Sequence, residues 1–513
     1  MRIRAGAWLG LASAATALGA AHLVAGLVGR AEASPIVAVG SASIDLVPRW
    51  LKDVAIDTFG TADKLVLVLV VTVVVGGLAI AVGTASLRRP RVGYASLVLL
   101  AAIGAVTALT RPNAEPIDAL PAVTGAVAGA VTLKLLRHRL LGAVEPGEGA
   151  TDPAPAPDPV SRRRFLVGGA VAFGAAAVAG VTGQFLSRRS EAVASRARVS
   201  VPTGVAAAPP VPSGAELGVE GMTPFITPNA DFYRIDTALI VPTVIAEEWS
   251  LRVHGMVERE LTLDFEALMA RPLIERDVTL ACVSNEIGGG LIGNARWIGA
   301  PLADLLAEAG IDPAATQLVS TSDDGFTAGT PVSAVTDGRD AMLAVAMNGE
   351  PLPIEHGFPV RMVVPGLYGY VSATKWVVDL ELTTFDAFDP YWIRRGWAEQ
   401  APIKTQSRID TPANGADAPT GEVVIAGVAW APHVGISRVE VRVDEGPWAE
   451  ADLATEDTID TWRQWRITVP LEVGNRTVQV RATDGDGAVQ TAQRAEPFPD
   501  GATGQHSIAI HVT

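Results

Sequence analysis

"LACVSNEIGGGLIGNARWIGAPLADLLAEAG", residues 280–310, carries the only cysteine in a chain of 513 residues. One thiol can form neither an internal disulfide nor a multi-cysteine zinc site. Two readings are open from the residues alone. Cys282 is a small buried hydrophobe, the common fate of a free cysteine, or it is a ligand for a soft metal. It stands just ahead of a glycine run, Gly288-Gly289-Gly290. The stretch ends in APLADLLAEAG, whose apolar spacing predicts a helix closed by Gly310.

Outward from that stretch the pattern is mixed. WSLRVHGMV (249–257) and LTLDF (261–265) alternate as short strands, AMLAVAMNGEPLP (341–353) is an apolar run broken at Asn348-Gly349, and HGFPVRMVVPG (356–366) reads as a strand between turns. No GxGxxG or P-loop spacing is present, so a nucleotide fold has no motif behind it. From about Lys404 the chain turns all-β: GEVVIAGVAWA, ISRVEVRVDEGPW, WRQWRITVP and RTVQVRATDGDGA alternate between turn residues. Their spacing predicts a β-sandwich of about 100 residues.

The N-terminal part is of another kind. Ala5–Val28, Leu65–Leu87, Val92–Leu109 and Leu120–Leu136 are long runs nearly free of charge, and a fifth, Phe165–Leu186, follows a polar gap. Each is near the roughly 20 residues a membrane-crossing helix needs. Arg2 and Arg4, then Arg88, Arg89 and Arg91, then Lys134, Arg137 and Arg139, then Arg162–Arg164 flank alternate ends. The positive-inside rule puts all four groups in the cytoplasm and everything after Leu186 outside. Buried core helices are the competing reading, and they give no reason for the arginines to alternate. Residues 34–60 become an external loop with an amphipathic surface segment. The Pro/Ala/Asp-rich stretch before Ser161 is a linker. Ser161-Arg162-Arg163-Arg164-Phe165-Leu166 resembles a twin-arginine export motif; an ordinary positive flank explains the arginines but not the Ser and Phe-Leu. The expected organisation is a four-span region (1–141), a cytoplasmic linker (142–161), the motif with a fifth span (162–186), a tether (187–221), an α+β domain (222–398) and the sandwich (404–513). A net charge of −15 with no basic stripe excludes a general nucleic-acid binder.

The cysteine stretch, followed by MNGEPLPIEHGFPVRMVVPGLYGYVSATKW (347–376) and a C-terminal sandwich, resembles the sulfite oxidase family of molybdopterin-dependent oxidoreductases over roughly Thr223–Thr513. The resemblance implies an α+β molybdopterin domain, an immunoglobulin-like sandwich that serves as a dimer interface, and oxygen-atom transfer at molybdenum. It makes Cys282 the molybdenum ligand, and the pterin's dithiolene accounts for the remaining sulfurs. It places Asn229, Tyr233 and Arg234 of TPNADFYR near the pterin, together with His356 and Arg361 of HGFPVR, Ser372 and Lys375 of VSATKW, and Thr321 or a neighbour. Arginine suits a phosphate through its planar fork and lysine adds a point charge. Arg296 and Trp297 are family landmarks in a supporting role.

The pattern also departs from true sulfite oxidases. Pro228 stands where an arginine precedes the matching asparagine, Glu286 and Ile287 stand where arginines follow the cysteine, and Phe326 replaces the active-site tyrosine. Loss of positive charge, with Glu286 added, disfavours a dianion by several kcal/mol in a dry site. A neutral substrate carrying a transferable oxygen, such as a sulfoxide or N-oxide, or an unusual reductant, fits better, with Glu286 a candidate to shape its pocket. His22 is the one histidine within the spans and no CxxCH exists, so no haem is expected, and a separate electron-transfer protein is. The competing classes are a membrane-anchored binding or adhesion module with an inactive relic domain, and a sensor or transporter. The spans lack the paired mid-membrane charges that transport requires.

Overall fold

The computed structural model describes residues 2–46, 63–111, 114–141, 167, 174, 189–202, 205–238 and 240–513. The linker, the twin-arginine-like motif, all but two residues of the fifth apolar run and the second half of the 34–60 loop lie outside the described residues. The chain divides into two compact units, residues 1–191 with 238–241, and residues 192–237 with 242–513.

The first unit is helical: α1 (Arg2–Leu27), α2 (Pro35–Leu46), α3 (Asp63–Arg88), α4 (Pro90–Leu109) and α5 (Leu120–Leu141). Four helical stretches, Ala5–Leu27, Leu69–Arg88, Pro90–Leu109 and Pro116–Leu140, are long and apolar enough to cross a membrane. They match the first four runs read from the sequence to within a few residues. Small residues set their packing. A methyl group on Gly10 would collide with Ala79 O of α3, and one on Gly125 with Ala17 O of α1. Arg30 pairs with Glu115 (2.8 Å) and Asp118, and Arg111 with Glu32. These pairs tie the turn after α1 to the turn between α4 and α5, so both turns lie at one end of the bundle, as alternation requires.

α6 (Arg189–Arg198) carries the chain from the first unit into the second. The stretch expected to be a tether packs onto the domain: Ala206 bridges Ile274, and Ala215 is fully buried. An extended segment has no side-chain period to reveal this, because its partner is backbone. Ten strands build the α+β part. β1 (Ser250–Gly255) and β2 (Leu261–Asp264) lead through α7 (Phe265–Met269) to β3 (Ile274–Ala281). β4 (Ile292–Pro301) is followed by α8 (Leu302–Ala309), β5 (Gln317–Ser322) and β6 (Thr327–Pro331). α9 (Val332–Thr336), β7 (Met342–Met347), β8 (Glu350–Pro351), β9 (Arg361–Val363), α10 (Gly369–Ser372) and β10 (Val377–Thr383) complete it. One sheet runs β2-β1-β10-β5-β6, with β1 and β10 parallel. The other runs β3-β4-β7-β8, with β9 added to β7. Leu251, Val253, Leu318 and Leu380 of the first share a core with Ile298, Leu343 and Met362 of the second. The predicted helix is α8; it ends where Gly310 turns left-handed (φ 73°), the conformation glycine adopts without a Cβ penalty. Asn348 (φ 51°) and Gly349 (φ 79°) make the β7–β8 hairpin turn their sequence announced.

The C-terminal region is β-rich, as expected. One sheet orders β11 (Gln406–Thr411), β13 (Gly421–Trp430), β17 (Arg463–Leu471) and β16 (Asp452–Leu453). The other orders β12 (Asp417–Ala418), β19 (Ser507–Val512), β18 (Gly474–Asp484), β14 (Ile436–Val443) and β15 (Ala449–Glu450). Ile425 and Trp465 from the first and Val439, Val480 and Ile510 from the second fill one core between them.

Candidate active site

Cys282 is the residue after β3, at the point where the strand leaves its sheet. Its N–H donates to Leu291 O (2.9 Å) and its C=O accepts from Asn285 N (3.0 Å), closing a turn between β3 and β4. Asn285 lies inside this turn, where Oδ1 accepts from Leu291 N (2.8 Å). The outer rim rests on the β-rich region. Arg408 of β11 donates to Gly289 O (2.8 Å), and Gly288 (φ 76°) lies so close to His506 that a Cβ there would collide with the ring. A sequence that needs the thiol fixed therefore needs these glycines.

The thiol opens onto a cleft. Tyr233, His356, Arg361 and Lys375 line it with Cys282, and so do Ser284, Ser322, Asp236 and Asp324. Phe232 stacks on Tyr233 (5.3 Å between centroids) and meets Trp297 and His356 edge-on, which fixes that wall. Arg361 lies over the Trp297 ring at 5.0 Å and donates to His356 O (3.1 Å) and Ala373 O (3.3 Å). None of these partners is a carboxylate. Lys375 Nζ donates to Asp236 Oδ2 (3.0 Å), which also accepts from Arg234 Nε (2.7 Å).

Burial dominates the electrostatics. It lowers Arg361 to about 10. It brings Lys375 down to about 8, against the pull of Asp236. His356 falls to about 4, through burial and the neighbouring Arg361 charge. Its Nε2 lies 3.1 Å from Asn229 O; a carbonyl can only accept, so Nε2 carries the proton and Nδ1 is left an acceptor. Burial raises the Cys282 thiol, opposed by hydrogen bonds from Ser284 and by the Lys375 charge.

Among the described residues the buried Arg361 guanidinium pairs with no carboxylate, only with carbonyls and the Trp297 ring, and Ser322 Oγ is buried without a hydrogen bond. An anionic, sulfur-bearing metal cofactor fits this set: the cations and the hydroxyl take its oxygens, and a thiolate is a soft donor to the metal. Among the described residues no group of three His, Cys, Asp or Glu side chains could hold a metal by itself.

Residues 238–392 match the family model for the oxidoreductase molybdopterin-binding domain. The mitochondrial sulfite oxidase of Mus musculus is 32% identical over 324 residues, 54% of this chain and 58% of that protein. The sulfite oxidase of Gallus gallus is 31% identical over 315 residues, 52% of this chain and 68% of that protein. The chain belongs to the sulfite oxidase family of molybdopterin oxidoreductases. It is also similar to the crystal structure of the sulfane dehydrogenase SoxCD from Paracoccus pantotrophus, with a TM-score of 0.50 and 25% identity over 61% of this chain and 87% of that one. The chain spans somewhat more than half the length of the mouse enzyme, 58%.

Of the residues assigned through the family resemblance, the fold brings Tyr233, Cys282, His356, Arg361 and Lys375 together on the cleft. The others lie off its lining. Asn229 donates to Glu350 Oε1 (2.6 Å) and accepts from Asn348 Nδ2 (2.8 Å), bracing the β7–β8 turn, so only its carbonyl reaches the site through His356. Arg234 touches the site through Asp236. Ser372 is buried and donates to Leu367 O (2.9 Å). Thr321 gives way to its neighbour Ser322, since successive strand residues face opposite sides. Glu286 is exposed on the turn and does not line the cleft; Asn285 takes the inward position. Arg296 pairs with Asp277 (2.5 Å) and Trp297 is fully buried beneath Arg361, both supporting groups. The sequence reading missed Asp236, Ser284, Asp324 and the aromatic residues Tyr370, Trp392 and Trp397 that join Phe326 in one wall. The aromatic density of residues 391–397 was the available signal for that wall.

Proposed function

We propose that this chain is a membrane-tethered molybdopterin-dependent oxidoreductase whose catalytic unit faces the extracytoplasmic side and acts on a substrate other than sulfite. The observation that carries the reading is the single thiol sharing a cleft with a buried ammonium and with a buried guanidinium whose hydrogen bonds go to carbonyls. Cys282 holds the metal. Arg361 and Lys375 hold the cofactor's phosphate, His356 offers a neutral acceptor, and Ser322 and Asp324 add polar contacts. When bound, the molybdenum cofactor supplies two-electron oxygen-atom transfer. The chain's residues orient the cofactor, keep the thiol in a dry setting and set which substrates enter.

Two arguments speak against sulfite. The arginine positions of sulfite oxidases hold Pro228, Glu286 and Ile287 here. Phe326, in place of a tyrosine, lines the cleft and offers no hydroxyl. Extracytoplasmic placement rests on the arginine alternation and the twin-arginine-like motif. The C-terminal sheets are read as an immunoglobulin-like sandwich able to pair with a second copy, and electrons as passing through a separate carrier. The test is sulfite-dependent reduction of a one-electron acceptor by the molybdenum-loaded full-length protein in detergent. No turnover above the Cys282→Ser background is expected; robust sulfite turnover overturns the reading.

A further inference from the structure

Phe326 from the β5–β6 hairpin, Tyr370 from α10, and Trp392 and Trp397 from the segment after β10 come from three separate stretches of chain, yet they line one cleft with Cys282. Their rings form a continuous assembly. Trp397 is its centre, edge-on to Trp392 (6.1 Å) and Phe498 (5.3 Å) and tilted against Tyr370 (5.8 Å). Tyr391 joins Trp392 (5.0 Å) to Phe326 (5.7 Å), with the Arg395 guanidinium over it at 3.6 Å. The Tyr370 hydroxyl donates to Ala398 O (2.6 Å), so the tyrosine presents carbon rather than a donor to the cleft.

This wall disfavours an inorganic oxyanion. Aromatic faces carry negative charge density, which repels anions and attracts apolar groups or cations. A cationic substrate finds no carboxylate among these four side chains to replace its lost hydration. What remains is a neutral molecule with an apolar substituent. We infer that Phe326, Tyr370, Trp392 and Trp397 form a substrate-selecting wall that seats the aryl or bulky alkyl substituent of a neutral organic S-oxide or N-oxide, with Trp397 as the anchor. The inference rests on the oxygen-transfer reading and names its substrate class. For an S-oxide the sulfur–oxygen bond breaks, two electrons from an external one-electron donor reduce the sulfur, and two protons leave with the oxygen as water.

The experiment uses the molybdenum-loaded full-length protein in detergent, reduced viologen as donor, and methyl phenyl sulfoxide beside dimethyl sulfoxide. Burying one phenyl ring on the wall gives a kcat/KM preference of about 50-fold for the aryl compound. Trp397→Ala brings that preference below about 5-fold, and Trp397→Phe, which keeps a ring, retains most of it. Calorimetric binding of methyl phenyl sulfone and dimethyl sulfone, neither turned over in this assay, gives a second readout that needs no turnover. Selective binding of the aryl sulfone, lost in Trp397→Ala, with no reduction of either sulfoxide leaves the wall standing and overturns the oxide reading beneath it. Turnover of both sulfoxides without preference, or equal binding of both sulfones, overturns the wall. An aryl preference unchanged in Trp397→Ala overturns Trp397 as its anchor.

Discussion

Arg408→Ala tests the grip of the β-rich region on the turn that carries the thiol. The Arg408 side chain is 10% exposed and makes three bonds: Nε to Asp410 Oδ1 (2.6 Å), NH1 to Gly289 O (2.8 Å) and NH2 to Thr223 Oγ1 (2.8 Å). Asp410, 6% exposed, keeps only the Thr223 N–H (3.1 Å) once the guanidinium is gone. Breaking one side of a buried ion pair costs about 3–5 kcal/mol. Water entering the vacated space relieves part of that, leaving about 3 kcal/mol. At about 2–4 °C per kcal/mol for a domain of this size, the melting transition falls by about 6–12 °C. Tryptophan fluorescence of the full-length protein in detergent follows it, because Trp297, Trp430, Trp462 and Trp465 are buried in this unit. A second effect is local. With Gly289 released, alkylation of Cys282 in the cofactor-free protein accelerates. Arg408→Lys, which can reach fewer acceptors, falls between. A shift under about 2 °C with unchanged alkylation refutes the reasoning.

Gly288→Ala places a Cβ against the His506 ring at φ 76°, and left-handed strain adds to the collision. Melting is expected to fall and molybdenum content to drop at least several-fold, measured by metal analysis. His356 titrates near 4 in the fold against 6.5 when unfolded, so the unfolded chain binds the extra proton between those values. Stability of the cofactor-free protein therefore rises from pH 4 to 6.5, by roughly 2–3 kcal/mol from this group. Denaturant unfolding across that window is expected to be flatter in His356→Gln. Lys375, near 8 without cofactor, is pulled back up by a bound phosphate, so binding takes up a proton above pH 8. Molybdopterin affinity then falls as pH rises from 8 to 10, and Lys375→Met removes that slope in a calorimetric titration.

The sequence made some features plain because their causes are local. Four apolar runs of membrane-crossing length, the α8 helix with its Gly310 end and the Asn348-Gly349 hairpin each follow from neighbouring residues, and each stands where it was read. Cys282, His356, Arg361 and Lys375 were legible because the family resemblance keeps them in recognisable order along the chain. The site was less legible where one residue's direction decides. Thr321 and Ser322 are adjacent, and only the strand's facing selects Ser322. Glu286 and Asn285 are adjacent too, and the turn gives Asn285 the inside. The aromatic wall was hidden for another reason: its members are up to 71 positions apart, from Phe326 to Trp397, and only tertiary packing joins them.

The most direct test of the central claim is the molybdenum and pterin content of the full-length protein, produced in a host that makes the cofactor, beside Cys282→Ser. The account predicts about one molybdenum with its pterin per chain in the parent, since the cleft holds one thiol donor. In the variant it predicts loss of the metal or a changed metal absorption spectrum, with the melting transition of the cofactor-free protein nearly unmoved. A folded parent without molybdenum, or a variant with the parent's full metal content and spectrum, contradicts it.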